Sequence, residues 1–108
     1  MRVNHLDDMV KGWFVGDFDP VVMRTSQFEV GVKKYKKNDY ESRHYHKIAT
    51  EMTVIITGEV VMNGIAYDAG KIIVIEPGDE TDFRAITDAV TVVVKVPSVL
   101  NDKYIAGK

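Results

Sequence analysis

His44, His46 and Glu51 stand out for the chemistry their types and spacing allow. One residue separates the two histidines, so on an extended strand both imidazoles project from the same face. Glu51 follows five residues after His46. A short link over residues 47–50 would return the chain as a neighbouring strand and set that carboxylate beside the imidazoles. Two imidazoles and one carboxylate on one side of an ion, with positions left open, form the ligand set of non-haem iron sites. A nitrogen-plus-oxygen set also suits manganese, nickel, zinc or copper. Without a metal, the same three groups make a hydrogen-bonded acid–base cluster. The chain has no cysteine, which excludes thiolate ligands, disulfides and cysteine catalysis.

The elements that must position this trio read as strands. Phe28, Val30 and Val32 alternate with Glu29 and Gly31; Met52, Val54 and Ile56 alternate with Thr53, Ile55 and Thr57. Asn63-Gly64 lies between two apolar runs, 59–62 and 65–67, and predicts a hairpin, because a type I′ turn needs positive φ at both central residues. Further turns are expected at 68–70, at Pro77-Gly78-Asp79 and at 87–89. Thr81, Phe83 and Ala85 share one face of the strand between the last two. Residues 91–96 are apolar on both faces around Val93, as in a strand covered on both sides. Lys33 to Lys37 reads as a solvated strand edge guarded by lysine. The best helical spacing is in the first ten residues, with Leu6, Met9 and Val10 on one face. Short strands joined by tight turns predict an all-β barrel or sandwich. Trp13, Met52, Met62, Tyr67 and Phe83 are expected as core and barrel lining.

From His44 to Gly58 the chain reads HYHKIATEMTVIITG. This resembles the first cupin motif, H-x-H-x4-E-x6-G, at every specified position after its opening glycine, where Asn38 stands. Residues 70–81, GKIIVIEPGDET, are similar to the second motif, G-x5-P-x-G-x2-H, with Glu76 at the proline, Pro77 one place later and Thr81 at the final histidine. Ala85 stands where an older form of the motif ends in asparagine. The resemblance covers roughly 38–96. It implies a double-stranded β-helix (jelly-roll barrel), a single cupin domain over 1–108 with the barrel at about 26–97, and His44, His46 and Glu51 as ligands of a divalent transition metal (Fe, Mn, Ni, Zn or Cu). The family's third histidine ligand is absent at Thr81.

Three functions are compatible with these residues. In a metal-dependent enzyme of oxygenase, isomerase or lyase type, the ion holds a substrate oxygen at the open positions. In a metal-free enzyme, an imidazole moves a proton beside a carbonyl. The H-x-H-K run from His44 to Lys47 is similar to that of the sugar-nucleotide ketoisomerases of the cupin type. In a binding module, the barrel holds a sugar or small organic acid without turnover. All three place a small molecule in the barrel. The 108 residues carry a formal charge of −2, which gives no basic face for a nucleic-acid partner. No apolar run is long enough to span a bilayer, and no secretory signal is visible, so a cytoplasmic protein is expected. Residues 1–18 and 99–108 have no obvious place in the barrel, and their apolar side chains predict packing in a homodimer.

Overall fold

The computed structural model describes residues 1–107. Among these, eleven strands follow in chain order: β1 (Trp13–Gly16), β2 (Met23–Arg24), β3 (Glu29–Tyr35), β4 (Tyr40–Tyr45), β5 (Thr50–Thr57), β6 (Glu59–Met62), β7 (Ile65–Asp68), β8 (Ile72–Ile75), β9 (Thr81–Ala85), β10 (Ala89–Val96) and β11 (Tyr104–Ile105). They form a six-stranded sheet, β2-β1-β3-β10-β5-β8, and a five-stranded sheet, β11-β4-β9-β6-β7. Every pairing is antiparallel except β1 with β2. The all-β expectation therefore holds. No helix among the described residues is long and apolar enough to cross a membrane.

The turn chemistry acts as the sequence predicts. Asn63 and Gly64 adopt φ of 51° and 77° between β6 and β7. Asn38 takes φ 76° before β4, so asparagine supplies the left-handed turn in place of glycine. Gly58 has a stricter task at the β5–β6 corner. Its φ is +87°, and a Cβ there would sit 2.2 Å from the Asp88 carbonyl oxygen. The turn before β10 thus presses its backbone against Gly58.

Period-2 alternation divides the space between the sheets along the strand axis. On β5, Glu51, Thr53 and Ile55 point inward in succession, from a polar end to an apolar one. On β10 the antiparallel series Lys95, Val93, Thr91 and Ala89 runs the same way, as the register places Lys95 beside Glu51 and Thr91 beside Ile55. The apolar end is the core, built from Ile55, Val60, Met62, Ile75, Phe83, Ala85 and Ala89, with Tyr35, Tyr67 and Ile73 against it. The polar end is a cavity. Met52 departs from the expected lining: alternation with Glu51 turns it to the outer face.

Four expectations are corrected. The first ten residues form no α-helix but end in two 3-10 turns, Leu6–Asp8 and Val10–Gly12, stopped by left-handed Lys11 and Gly12. Strand β3 is not an edge of the sheet, because β1 pairs with its first half at Val30 and Gly31, and alternation from Gly31 sends Lys33 inward to the cavity. Both terminal segments have places in the barrel, as β1 and β2 in one sheet and β11 in the other; Lys108 lies outside the described residues. Finally, β10 is covered on its inner face alone. On the outer face Val30, Val94, Met52 and Val74 form one cross-strand row, and Val32, Val92, Val54 and Ile72 the next.

Replacing Gly58 tests the close approach. Gly64→Ala meets only left-handed strain in open space and costs about 1 kcal/mol. Gly58→Ala adds a backbone collision and is expected to cost about 3 kcal/mol or more. Urea unfolding of both variants checks this, and equal losses would contradict it.

Candidate functional site

The structure brings His44, His46 and Glu51 to one cavity of about 300 Å³ between the sheets. His44 and His46 lie at the end of β4 and just beyond it, and both are buried. Glu51 opens β5. The His46 Nε2 lies 3.2 Å from Glu51 Oε1, and Thr53 Oγ1 donates to Glu51 Oε2 at 3.1 Å. The centroids of the two imidazoles are 5.8 Å apart. Burial pushes the Glu51 carboxyl upward, but the His46 hydrogen bond, the nearby charges of Lys95 and His46, and the Thr53 hydrogen bond outweigh it and hold it below its ordinary value. Glu51 makes no pair with Lys47 or Arg43; Arg43 binds Glu80, and the Lys47 ammonium sits over the Tyr104 ring.

The imidazoles are oriented from behind. A carbonyl oxygen can only accept, so the ring nitrogen facing it must carry the proton. His44 Nδ1 donates to Ser42 O at 2.8 Å, and His46 Nδ1 donates to Asp102 O at 2.6 Å. The donor proton on Nδ1 leaves His44 Nε2 as a lone-pair nitrogen. Among the described residues no three His, Cys, Asp or Glu side chains stand together so that they could hold a metal ion. His46 and Glu51 are in direct contact, and His44 stands apart from that pair in the same cavity.

Asp102 is the support that the sequence reading missed. Its buried carboxylate accepts hydrogen bonds from the backbone N–H of Lys47 (3.0 Å), Ile48 (3.2 Å) and Ala49 (2.9 Å). Those three residues are the link between the histidine strand and the glutamate strand. Burial opposes the charge, but the three N–H donors and the nearby His46 prevail and lower the Asp102 pKa below the usual carboxylate value. Strand β11 carries the segment into place against β4, where Tyr104 stacks on Tyr45 at 5.5 Å.

Glu41 also escaped the sequence reading. Strict alternation from His44 would turn it outward. On β4, however, Glu41 and His44 are three apart yet face Phe83 and Thr81, two apart on β9, so one extra residue bulges out between them. The bulge aims Glu41 into the cavity, where it accepts from the Tyr35 hydroxyl at 3.0 Å. Burial, then the Glu41 charge and hydrogen bond, push the Tyr35 phenol well upward and keep it a donor. Thr81, paired with His44 in register, lines the cavity and spends its hydroxyl proton on the Asp82 carbonyl at 2.7 Å. Glu80 and Asp82 point away as alternation predicts, toward Arg43 and the Asn63 N–H. The hydroxyl of Thr91, fully buried in the cavity lining, has no hydrogen-bond partner.

Two facing, mainly antiparallel sheets with a polar cavity at one end define the double-stranded β-helix, the fold of the cupins. The chain is similar to an uncharacterized conserved protein with a double-stranded β-helix domain from Klebsiella pneumoniae, with TM-score 0.72 and 22% identity over 99% of this chain and 93% of that one. It is also similar to KdgF from Halomonas, with TM-score 0.64 and 15% identity over 71% of this chain and 74% of that one. The DMSP lyase DddQ from Ruegeria pomeroyi gives TM-score 0.65 and 17% identity, with 77% of this chain and 45% of that one covered. No family model and no curated protein matches the sequence. Likeness at these identities establishes the fold.

Asp102→Asn removes the charge that three backbone donors share and is expected to cost about 1–3 kcal/mol at neutral pH. The carboxyl's pKa is lowered on folding, so its contribution is present above the unfolded value of about 3.9 and is lost as pH falls through the folded value. The stability gap between parent and variant should therefore narrow below about pH 4. Urea unfolding at both pH values measures it.

Proposed function

We propose that this chain is a small-molecule cupin whose reactive wall is His44, His46 and Glu51, and that this wall takes a divalent transition metal: iron, manganese, nickel, zinc or copper. The observation that supports it most is the orientation of the imidazoles. Each Nδ1–H is held by a backbone carbonyl, and this is how ligand histidines are fixed, with Nε2 turned to the metal. The 3.2 Å between His46 Nε2 and Glu51 Oε1 suits two neighbouring ligands whose bonds to an ion are about 2.1 Å. Thr53 fixes the other carboxylate oxygen. A bound ion would supply Lewis-acid polarisation of a ligand oxygen. The chain's own groups then define the reaction space: Trp13 and Phe83 wall it, and Glu41 holds the Tyr35 phenol. The shared fold with KdgF and a DMSP lyase is in keeping with small-molecule chemistry.

One observation favours a metal-free alternative. Both ring nitrogens of His46 face acceptors, Asp102 O and Glu51 Oε1. Only the doubly protonated ring satisfies both, and such an imidazolium–carboxylate pair is equipped for proton transfer. Elemental analysis of the purified, untagged protein decides between them. The metal reading expects about one transition-metal ion per chain, lost in His46→Ala and Glu51→Gln. No metal in the parent after incubation with each candidate ion would overturn it and leave acid–base work by His46.

We further propose that the outer face of the six-stranded sheet joins two copies of the chain. Its two apolar rows carry no charge, and Ile72 and Val74 are 64% and 52% exposed. Two adjoining apolar rows on one sheet face complement a second copy of themselves in face-to-face packing. Light scattering should report a dimer, and Val92→Lys with Val94→Lys should shift it to monomer. A parent that is monomeric at high concentration would exclude the interface.

A further inference from the structure

The cavity gathers four lysines from four separate segments: Lys11 from the second 3-10 turn, Lys33 from β3, Lys95 from β10 and Lys103 from the stretch before β11. Among the described residues none of the four forms an ion pair. The two acids that share the cavity, Glu41 and Glu51, offset part of this charge while hydrogen-bonded to Tyr35 and to His46 and Thr53, and four lysines against two carboxylates leave the lining with an excess of ammonium groups. Converging like charges repel, and the half-buried Lys33 also loses hydration. Burial lowers its pKa, Glu41 opposes, and Lys11, Lys103 and Lys95 push it down further. Such an arrangement costs stability unless an anion relieves it.

Trp13 lies at the centre of this cluster. Its ring rests on Gly31, where a Cβ would come within 2.7 Å of it. The Lys33 and Lys95 ammonium groups stand 5.4 Å and 5.2 Å from the ring centroid. The Lys95 charge also reaches Glu51, so the basic cluster and the histidine wall border one space. The lining contains no arginine, and the two lysines beside Trp13, Lys33 and Lys95, are presented by β-strands rather than by a glycine-rich loop; neither feature of a dedicated phosphate cradle is there. Lys33 and Lys95 both line the cavity and both stand close to Trp13, so two ammonium groups are available to one carboxylate there.

We propose that the cavity binds a small organic acid, its carboxylate held by Lys33 and Lys95 beside Trp13 and the rest of the molecule extending toward His44, His46 and Glu51. This deepens the small-molecule reading of the site and does not depend on the metal. Trp13 is the single tryptophan of the chain, so its fluorescence reports this cavity directly. The protein is titrated with acetate, oxalate, succinate, citrate and gluconate, with succinamide as the neutral match and with inorganic phosphate, before and after removal of metal by EDTA. At least one carboxylate should give a saturable change in both preparations, and succinamide none. Lys33→Gln with Lys95→Gln should weaken that carboxylate about tenfold or more, while Lys34→Gln, on the outward face of β3, leaves it unchanged. Saturation by phosphate but by no carboxylate would overturn the ligand class. No saturable response to any carboxylate, or an undiminished one in the double variant, would overturn the proposal. The fluorescence and the metal content fail separately: carboxylate binding without any metal retires only the metal, and metal without carboxylate binding retires only the organic acid.

Discussion

The carboxylate of Asp102 is the constraint on which the site rests. Three consecutive backbone N–H groups, of Lys47, Ile48 and Ala49, converge on it, and the carbonyl of the same residue takes the proton of His46. One residue thus shapes the link between the histidine strand and the glutamate strand and sets the tautomer of the buried imidazole. Without Asp102 the Ala49 N–H, which is buried, would carry an unmet desolvation cost, and the half-buried N–H groups of Lys47 and Ile48 would lose their partner. With Asp102 in place, the His46–Glu51 contact becomes a fixed geometry instead of one arrangement among several.

The surroundings of that pair are polar by design of the register. The inward residues of β5 and β10 change from charged to apolar along the strands, so core and cavity share one barrel without a partition. Packing at the apolar end defines the strand positions, and those positions aim Glu51, Thr53, Thr91 and Lys95 into the open end. The bulge in β4 adds Glu41 to the same space. The cavity concentrates positive charge from Lys11, Lys33, Lys95 and Lys103 around a single indole while its carboxylates hold other partners.

Thr81 stands where the cupin motif that the sequence resembles has histidine, and it fits the barrel without disturbing it. Thr81 is buried beside His44 and turns its hydroxyl proton to the Asp82 carbonyl. Its side chain therefore acts as cavity lining beside His44. The apolar outer face is the complementary feature: β10 has the composition of a strand covered on both sides, while its own chain covers one.

The sequence by itself determined everything that depends on local backbone conformation and period. The H-x-H spacing places two imidazoles on one face, Asn63-Gly64 makes the hairpin, Asn38 makes the left-handed turn, and Thr81, Phe83 and Ala85 share the interior. The double-sheet fold followed from the same signals. Only the tertiary structure decided what depends on pairing between distant segments. Asp102 lies more than fifty residues from the link it holds, and no local pattern marks a carboxylate as the partner of a remote backbone. Glu41 faces inward because β4 bulges against β9, an irregularity that alternation cannot contain. Lys33 reads as a solvated edge residue until the two sheets face each other and enclose its side of β3 as a cavity. Periodicity reports which residues share a face; which face meets which, and at what register, is settled when the sheets close.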